Sequence, residues 1–109
     1  MRKKTKAQLA TQQRKKDLIE WAKTIKDLDG NQCLVCGKTT GLQAHHLLPR
    51  CRWKDLELET LNGVALCRGH HQWLAHLDAI KWVSILNALR PNQLTWCLAQ
   101  IMAKEANGH

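Results

Sequence analysis

Apolar residues recur at Leu18, Trp21, Ala22, Ile25 and Leu28, three and four positions apart, and Gly30 follows at once. That spacing predicts an amphipathic helix with those five residues on its inward face, stopped at Gly30. From Asn31 to Gly41 the period is lost, and Gly37 and Gly41 mark tight turns. Leu42 to His46 and Val64 to Cys67 are short enough to read as strands. Between them Leu47 to Leu61 reads as a polar loop carrying Pro49, Arg50, Arg52, Trp53 and Lys54. A helix should begin near His70, with Trp73, Leu77, Ile80 and Val83 facing the core, and end at Pro91. Asn92 is placed to cap a last helix whose apolar face is Leu94, Cys97, Leu98 and Ile101. Residues 107–109 should fray. The expected class is small α+β, without repeats or interdomain linkers: an arm over 1–16, then one domain over 17–109. Within that domain a central core spans 31–89 and a C-terminal helix spans 92–106.

At 109 residues the chain suits one domain with a modest core, to which a structural metal would add stability. Phe and Tyr are absent, so five Trp must supply the aromatic packing. The formal charge of +8 suggests a polyanionic partner. Seven of the cations, Arg2, Lys3, Lys4, Lys6, Arg14, Lys15 and Lys16, fall in the first sixteen residues with no acid among them. Such a run is either a solvated tail or a nucleic-acid-binding arm. No apolar run is long enough to span a bilayer. Five Cys, an odd number, in a Lys-rich chain without a signal peptide fit a reducing cytoplasm with thiols committed to metal.

Cys33, Cys36, Cys67 and His70 have the spacing C-x2-C-x30-C-x2-H. Each half offers two ligands on one tight turn, the way a tetrahedral zinc is built from two short segments. Four protein ligands leave no open position, so this zinc would be structural. Cys51 or His71 are conceivable substitutes for the fourth ligand. Cys97 lies on an apolar helical face and is expected in the core.

The residues left over are His45, His46, Asn62 and His71. Adjacent strand residues point to opposite faces, so the doublet alone says little. His70 and His71 differ by about 100° around a helix, so one can face the zinc and the other a separate cleft. The order His-His, Asn, His, folded between the halves of a zinc knuckle, resembles the HNH (His-Me finger) endonucleases, over about forty of the residues. The resemblance implies a treble-clef-like ββα-metal core and hydrolysis of DNA phosphodiester bonds to 5′-phosphate and 3′-hydroxyl ends. It implies His46 as the general base, and His45 and His71 as ligands of one divalent cation on the scissile phosphate. It implies Asn62 as a hydrogen-bonding residue that holds the loop and orients the His46 segment. His76 would be a further cation ligand or a helix-surface residue, since it stands five positions after His71 rather than four. Mg²⁺, Mn²⁺, Ni²⁺ and Zn²⁺ all suit such a His-rich site. Arg50, Arg52 and Lys54 border the expected cleft and are candidate DNA contacts together with Arg2, Lys3, Lys4, Arg14, Lys15 and Lys16. By the same analogy the chain looks phage-like or mobile-element-like, a monomer or weak dimer acting in the (host) cytoplasm. The rival readings are a zinc-stabilised module that binds DNA without cutting it, and a structural zinc domain with Trp53 and Trp73 as interface anchors.

Overall fold

Thr5 starts the first helix. Its hydroxyl accepts the Gln8 N–H at 3.1 Å, and the Gln8 side chain accepts the Thr5 N–H at 2.9 Å, a reciprocal cap that satisfies two otherwise unpaired donors. In this computed structural model, which describes residues 2–74 and 79–107, helix α1 therefore runs Lys6–Leu28. The basic stretch is helical from Lys6 onward. Trp21 and Ile25 are buried and Leu18 and Ala22 half-buried, whereas Leu28 is 65% exposed. The inward place at the helix end belongs instead to Asp29, which caps α1 and is itself buried. Gly30 and Asn31 then turn the chain at φ +73° and +55°, a region that favours glycine and tolerates asparagine.

Strands β1 (Leu42–His46) and β2 (Gly63–Cys67) form a two-stranded antiparallel sheet, with Leu42 opposite Cys67 and His46 opposite Gly63. Every residue of β2 is buried. Its outer edge is closed at Ala65, whose N–H donates to the Asp29 carboxylate at 2.6 Å and whose carbonyl accepts from Leu34 N–H at 2.9 Å. No ladder group of Ala65 is left bare in the core. Arg90 neutralises the buried Asp29 at 2.8 Å, as a carboxylate removed from water requires. The described residues are thus α+β, with a two-stranded sheet and four helices.

The remaining helices are α2 (Arg68–Leu74), α3 (Ala79–Leu89) and α4 (Pro91–Asn107). The face expected inward on α3 is turned outward: Ile80 is 78% and Val83 40% exposed, while Leu86 is buried and Trp82 and Ile85 are half-buried. Trp82 lies about 200° from Ile80 around a helix, so only one can face the sheet. The larger indole, packed against β2 and the knuckle, takes that place. The side chains of Trp73 and Leu77, named as core-facing, lie outside the described residues. Asn92 does not cap α4. Pro91 occupies the first helical position, where its missing N–H costs nothing, and the first helical bond runs from Leu94 N–H to Arg90 C=O at 3.0 Å. On α4 Leu94 and Cys97 are buried, Ile101 is half-buried and Leu98 is 41% exposed.

The segment between the strands is less polar than its sequence suggests. Leu48 and Trp53 are buried against Cys97, Trp96 and Ile101, so Trp53 is a core residue rather than an interface anchor. Short 3-10 turns at Lys54–Leu56 and Thr60–Asn62 carry the chain back to β2. Among the described residues no helix is long and apolar enough to cross a membrane.

Candidate functional site

Two turns meet at the Leu42–Cys67 end of the sheet. The turn after α1 brings Cys33 and Cys36, held by bonds from Cys33 N–H to Lys38 C=O at 2.8 Å and from Gly37 N–H to Cys33 C=O at 2.9 Å. Gly37 takes φ +74° to close that turn. The end of β2 and the start of α2 bring Cys67 and His70. The four ligand atoms lie within 4.8 Å of one another. Cys36 Sγ and Cys67 Sγ are 3.8 Å apart, and His70 Nδ1 is 3.7 Å from Cys33 Sγ and 3.2 Å from Cys67 Sγ. Zinc–sulfur bonds of about 2.3 Å and zinc–nitrogen bonds of about 2.0 Å put tetrahedral ligands about 3.8 Å (S–S) and 3.5 Å (S–N) apart. These distances fit a tetrahedral ion, and they are far too long for a disulfide of about 2.05 Å.

The electrostatics agree. Burial by itself pushes the Cys33 thiol up. The backbone hydrogen bonds at Cys67, Cys36 and Val35, with the Cys36 thiol, outweigh it and bring Cys33 down to about 6, into the range where thiolate, the ligating form, prevails at neutral pH. Cys33, Cys36, Cys67 and His70 can thus bind a metal such as zinc. Cys51 is exposed and, with His71, stands outside the group. Cys97 is buried on α4, its thiol pushed up to about 11 by burial.

A second constellation lies at the far end of the sheet. His45 and His46 leave β1 on opposite faces, as strand alternation dictates. His45 meets His71 edge-on, ring centroids 5.0 Å apart, and stacks on Trp82 at 5.4 Å. Burial, then the neighbouring His71 and His46, lower His45 to about 4, so it is neutral and keeps a lone pair at physiological pH. Among the described residues His71 Nδ1 is buried without a hydrogen-bond partner, which is uncommon for a buried polar atom and calls for an explanation.

On the other face, His46 lies flat on Trp21, with centroids 3.9 Å apart and planes within 8°. Its Nε2 is 2.8 Å from the Glu57 carbonyl. A carbonyl only accepts, so Nε2 carries the hydrogen and Nδ1 of the neutral ring holds the lone pair. Burial lowers the pKa of His46, and the Glu57 carbonyl acts against that shift.

Asn62 has no exposed surface. Its Oδ1 accepts from Leu48 N–H at 2.7 Å, and its Nδ2 donates to the Leu48 and Leu56 carbonyls at 3.3 and 3.1 Å. It ties the end of the inter-strand loop to its start at Leu48, just after His46, and to its middle at Leu56.

Of the candidate DNA contacts, Arg2, Lys3, Lys4, Lys15, Lys16, Arg50, Arg52 and Lys54 are exposed. Arg14 is engaged within the protein: its Nε and Nη2 fork onto the two Glu57 carboxylate oxygens at 2.8 and 2.7 Å. His76 lies outside the described residues. Sequence reasoning passed over Trp21, Glu57 and Trp82 as neighbours of the histidines. A Trp on a helical stripe carries no local sign of what it stacks on, and Glu57 acts partly through its backbone.

No protein-family model matches the chain, and the searches of curated proteins and of solved structures returned no match either.

Proposed function

We propose that this protein is a metal-dependent DNA endonuclease of the HNH type, with a ββα-metal core formed by β1, β2 and α2. The observation that carries the reading is the division of labour between adjacent histidines. On one face His45, kept neutral, meets His71, whose buried Nδ1 lacks a partner among the described residues. On the other, His46 is tethered through Nε2 and presents a basic Nδ1.

Two imidazoles in contact, that of His45 neutral and that of His71 with a nitrogen left unpaired among the described residues, are suited to hold a divalent cation. When bound there, such a cation would supply charge stabilisation for the scissile phosphate and the leaving 3′ oxygen. His46 Nδ1 accepts the proton of an attacking water, and the Glu57 carbonyl stabilises the imidazolium that results by keeping its bond to Nε2–H. Asn62 acts without touching substrate, by fixing the backbone that follows His46. The Cys33, Cys36, Cys67 and His70 centre joins the end of α1 to the start of α2, and so fixes His71 relative to the sheet. The exposed cations of the first helix and of the inter-strand loop supply phosphate contacts that are independent of base sequence.

Incubation of the zinc-loaded protein with supercoiled plasmid and Mg²⁺, Mn²⁺, Ni²⁺ or Zn²⁺ tests this directly. Conversion to open-circular or linear DNA is expected. Binding without cutting would instead describe a zinc-stabilised DNA-binding module.

A further inference from the structure

We infer that Arg14 and Glu57 are positioning residues for His46, so that this arginine of the basic helix acts on the proposed base rather than on DNA phosphate. The inference rests on the nuclease reading for its kinetic consequence, though not for its structural one. Arg14 and Trp21 are seven residues apart, two helical turns, and so share one face of α1. That face holds His46 and its support together. Trp21 stacks on the His46 ring and donates its Nε1–H to the Glu59 carbonyl at 2.9 Å. Arg14 grips the Glu57 carboxylate with two bonds of 2.8 and 2.7 Å. The backbone carbonyl of that same Glu57 takes the hydrogen of His46 Nε2.

The neighbours of Glu57 are held by other groups: the Leu56 carbonyl accepts from Asn62 Nδ2 at 3.1 Å, and the Glu59 carbonyl accepts from Asn62 N–H at 3.0 Å and from Trp21. Glu57 itself has one long backbone bond, its N–H to Lys54 C=O at 3.3 Å, so its side chain is its firmest anchor. A two-point fork fixes orientation as well as adding energy, and with the Arg14 side chain half exposed the energy is small. What Arg14 contributes is therefore the place of the Glu57 carbonyl, and through it the tautomer and plane of His46. A guanidinium already forked on a carboxylate must also release it before gripping a phosphate.

The test uses the full-length zinc-loaded protein and the variants Arg14→Ala, Arg14→Lys, Glu57→Gln and Arg14→Ala/Glu57→Gln. Nitrogen–proton correlation spectra of the His46 ring, taken where it is neutral, should show one tautomer with the hydrogen on Nε2 in the wild type. All four variants should show a mixture, including Arg14→Lys, because an ammonium cannot fork. In plasmid cleavage kcat should fall about tenfold, comparable to losing a residue that orients a ligand, with KM and the salt dependence of binding unchanged. The double variant should be no worse than either single one, as expected of residues acting through one path.

A single Nε2–H tautomer retained in Arg14→Ala would overturn the inference. So would weaker DNA binding in Arg14→Ala with the salt slope reduced by roughly 0.9 and kcat intact, the signature of a phosphate contact. If the wild type cuts no DNA the nuclease reading fails, while the spectra still decide whether Arg14 and Glu57 place His46.

Discussion

The imidazole of His46 lies on the indole of Trp21 as one flat ring on another, 3.9 Å between centroids. Gly63, the cross-strand partner of His46, makes that stack feasible. A Cβ at Gly63 would stand 2.6 Å from Trp21 Cζ2 and 2.8 Å from Ile25 Cδ1. The helix can press its Trp21 against the sheet only because one strand position carries no side chain.

Gly63→Ala should therefore destabilise the fold by about 1–3 kcal/mol, the usual cost of overpacking a filled core. For a domain of this size that corresponds to a fall in Tm of roughly 4–8 °C per kcal/mol. Thermal melts of the two proteins check it, and an unchanged Tm would mean that α1 stands off the sheet.

The thiols should separate into three groups by reactivity. At pH 8 in the zinc-loaded protein, iodoacetamide should label the exposed Cys51 quickly. It should leave Cys97 alone, since burial holds that thiol near 11, and it should leave the metal-bound Cys33, Cys36 and Cys67 protected. Chelation should release those three, and mass mapping counts them. Labelling of Cys33 or Cys67 before chelation would contradict a filled centre. Cys51→Ser should leave the zinc content at one ion per chain.

The Arg14 guanidinium holds the Glu57 carboxyl below its ordinary value of 4.5. A depressed folded-state pKa favours the native state while the carboxyl is ionised, and the advantage disappears as pH falls through the folded value. Wild type should thus be slightly more stable than Arg14→Ala above about pH 5. The two should converge as pH drops below the shifted value, by urea titration at successive pH. The pair is solvent-facing on the Arg14 side, so the gap should be small and should shrink in high salt.

The Cys33, Cys36, Cys67 and His70 group, which could bind a metal, was legible in the sequence because its chemistry is local: two ligand pairs, each on a tight turn, need only the two turns to meet. Strand β2 was legible from its short apolar run between Gly63 and Arg68, whereas β1, Leu-Gln-Ala-His-His, offered little beyond its length. The phase of α3 was not legible. Ile80 and Val83 extend the period set by Trp73 and Leu77, and nothing near Trp82 reveals that His45 and the sheet will draw it inward. Nor did the inter-strand loop declare its core role, because Trp53 stands among charged residues and Cys97, the partner it shares with Leu48, is far along the chain. His45 and His46 could be assigned to opposite faces from strand alternation alone. What each face holds depends on α1 and α3, whose packing is a property of the whole fold.

Whether His46 is a base acting on water is decided by one comparison. Wild type and His46→Ala, both zinc-loaded and with matched far-ultraviolet spectra and DNA affinity, are incubated with supercoiled plasmid across the divalent ions. Wild type should cut with at least one ion. His46→Ala should be slower by ~10²–10⁴, with little change in binding and no recovery at high metal concentration, because a general base contributes chiefly in the transition state. A His46→Ala protein that cuts at the wild-type rate, or a wild type inert with every ion, would contradict the account.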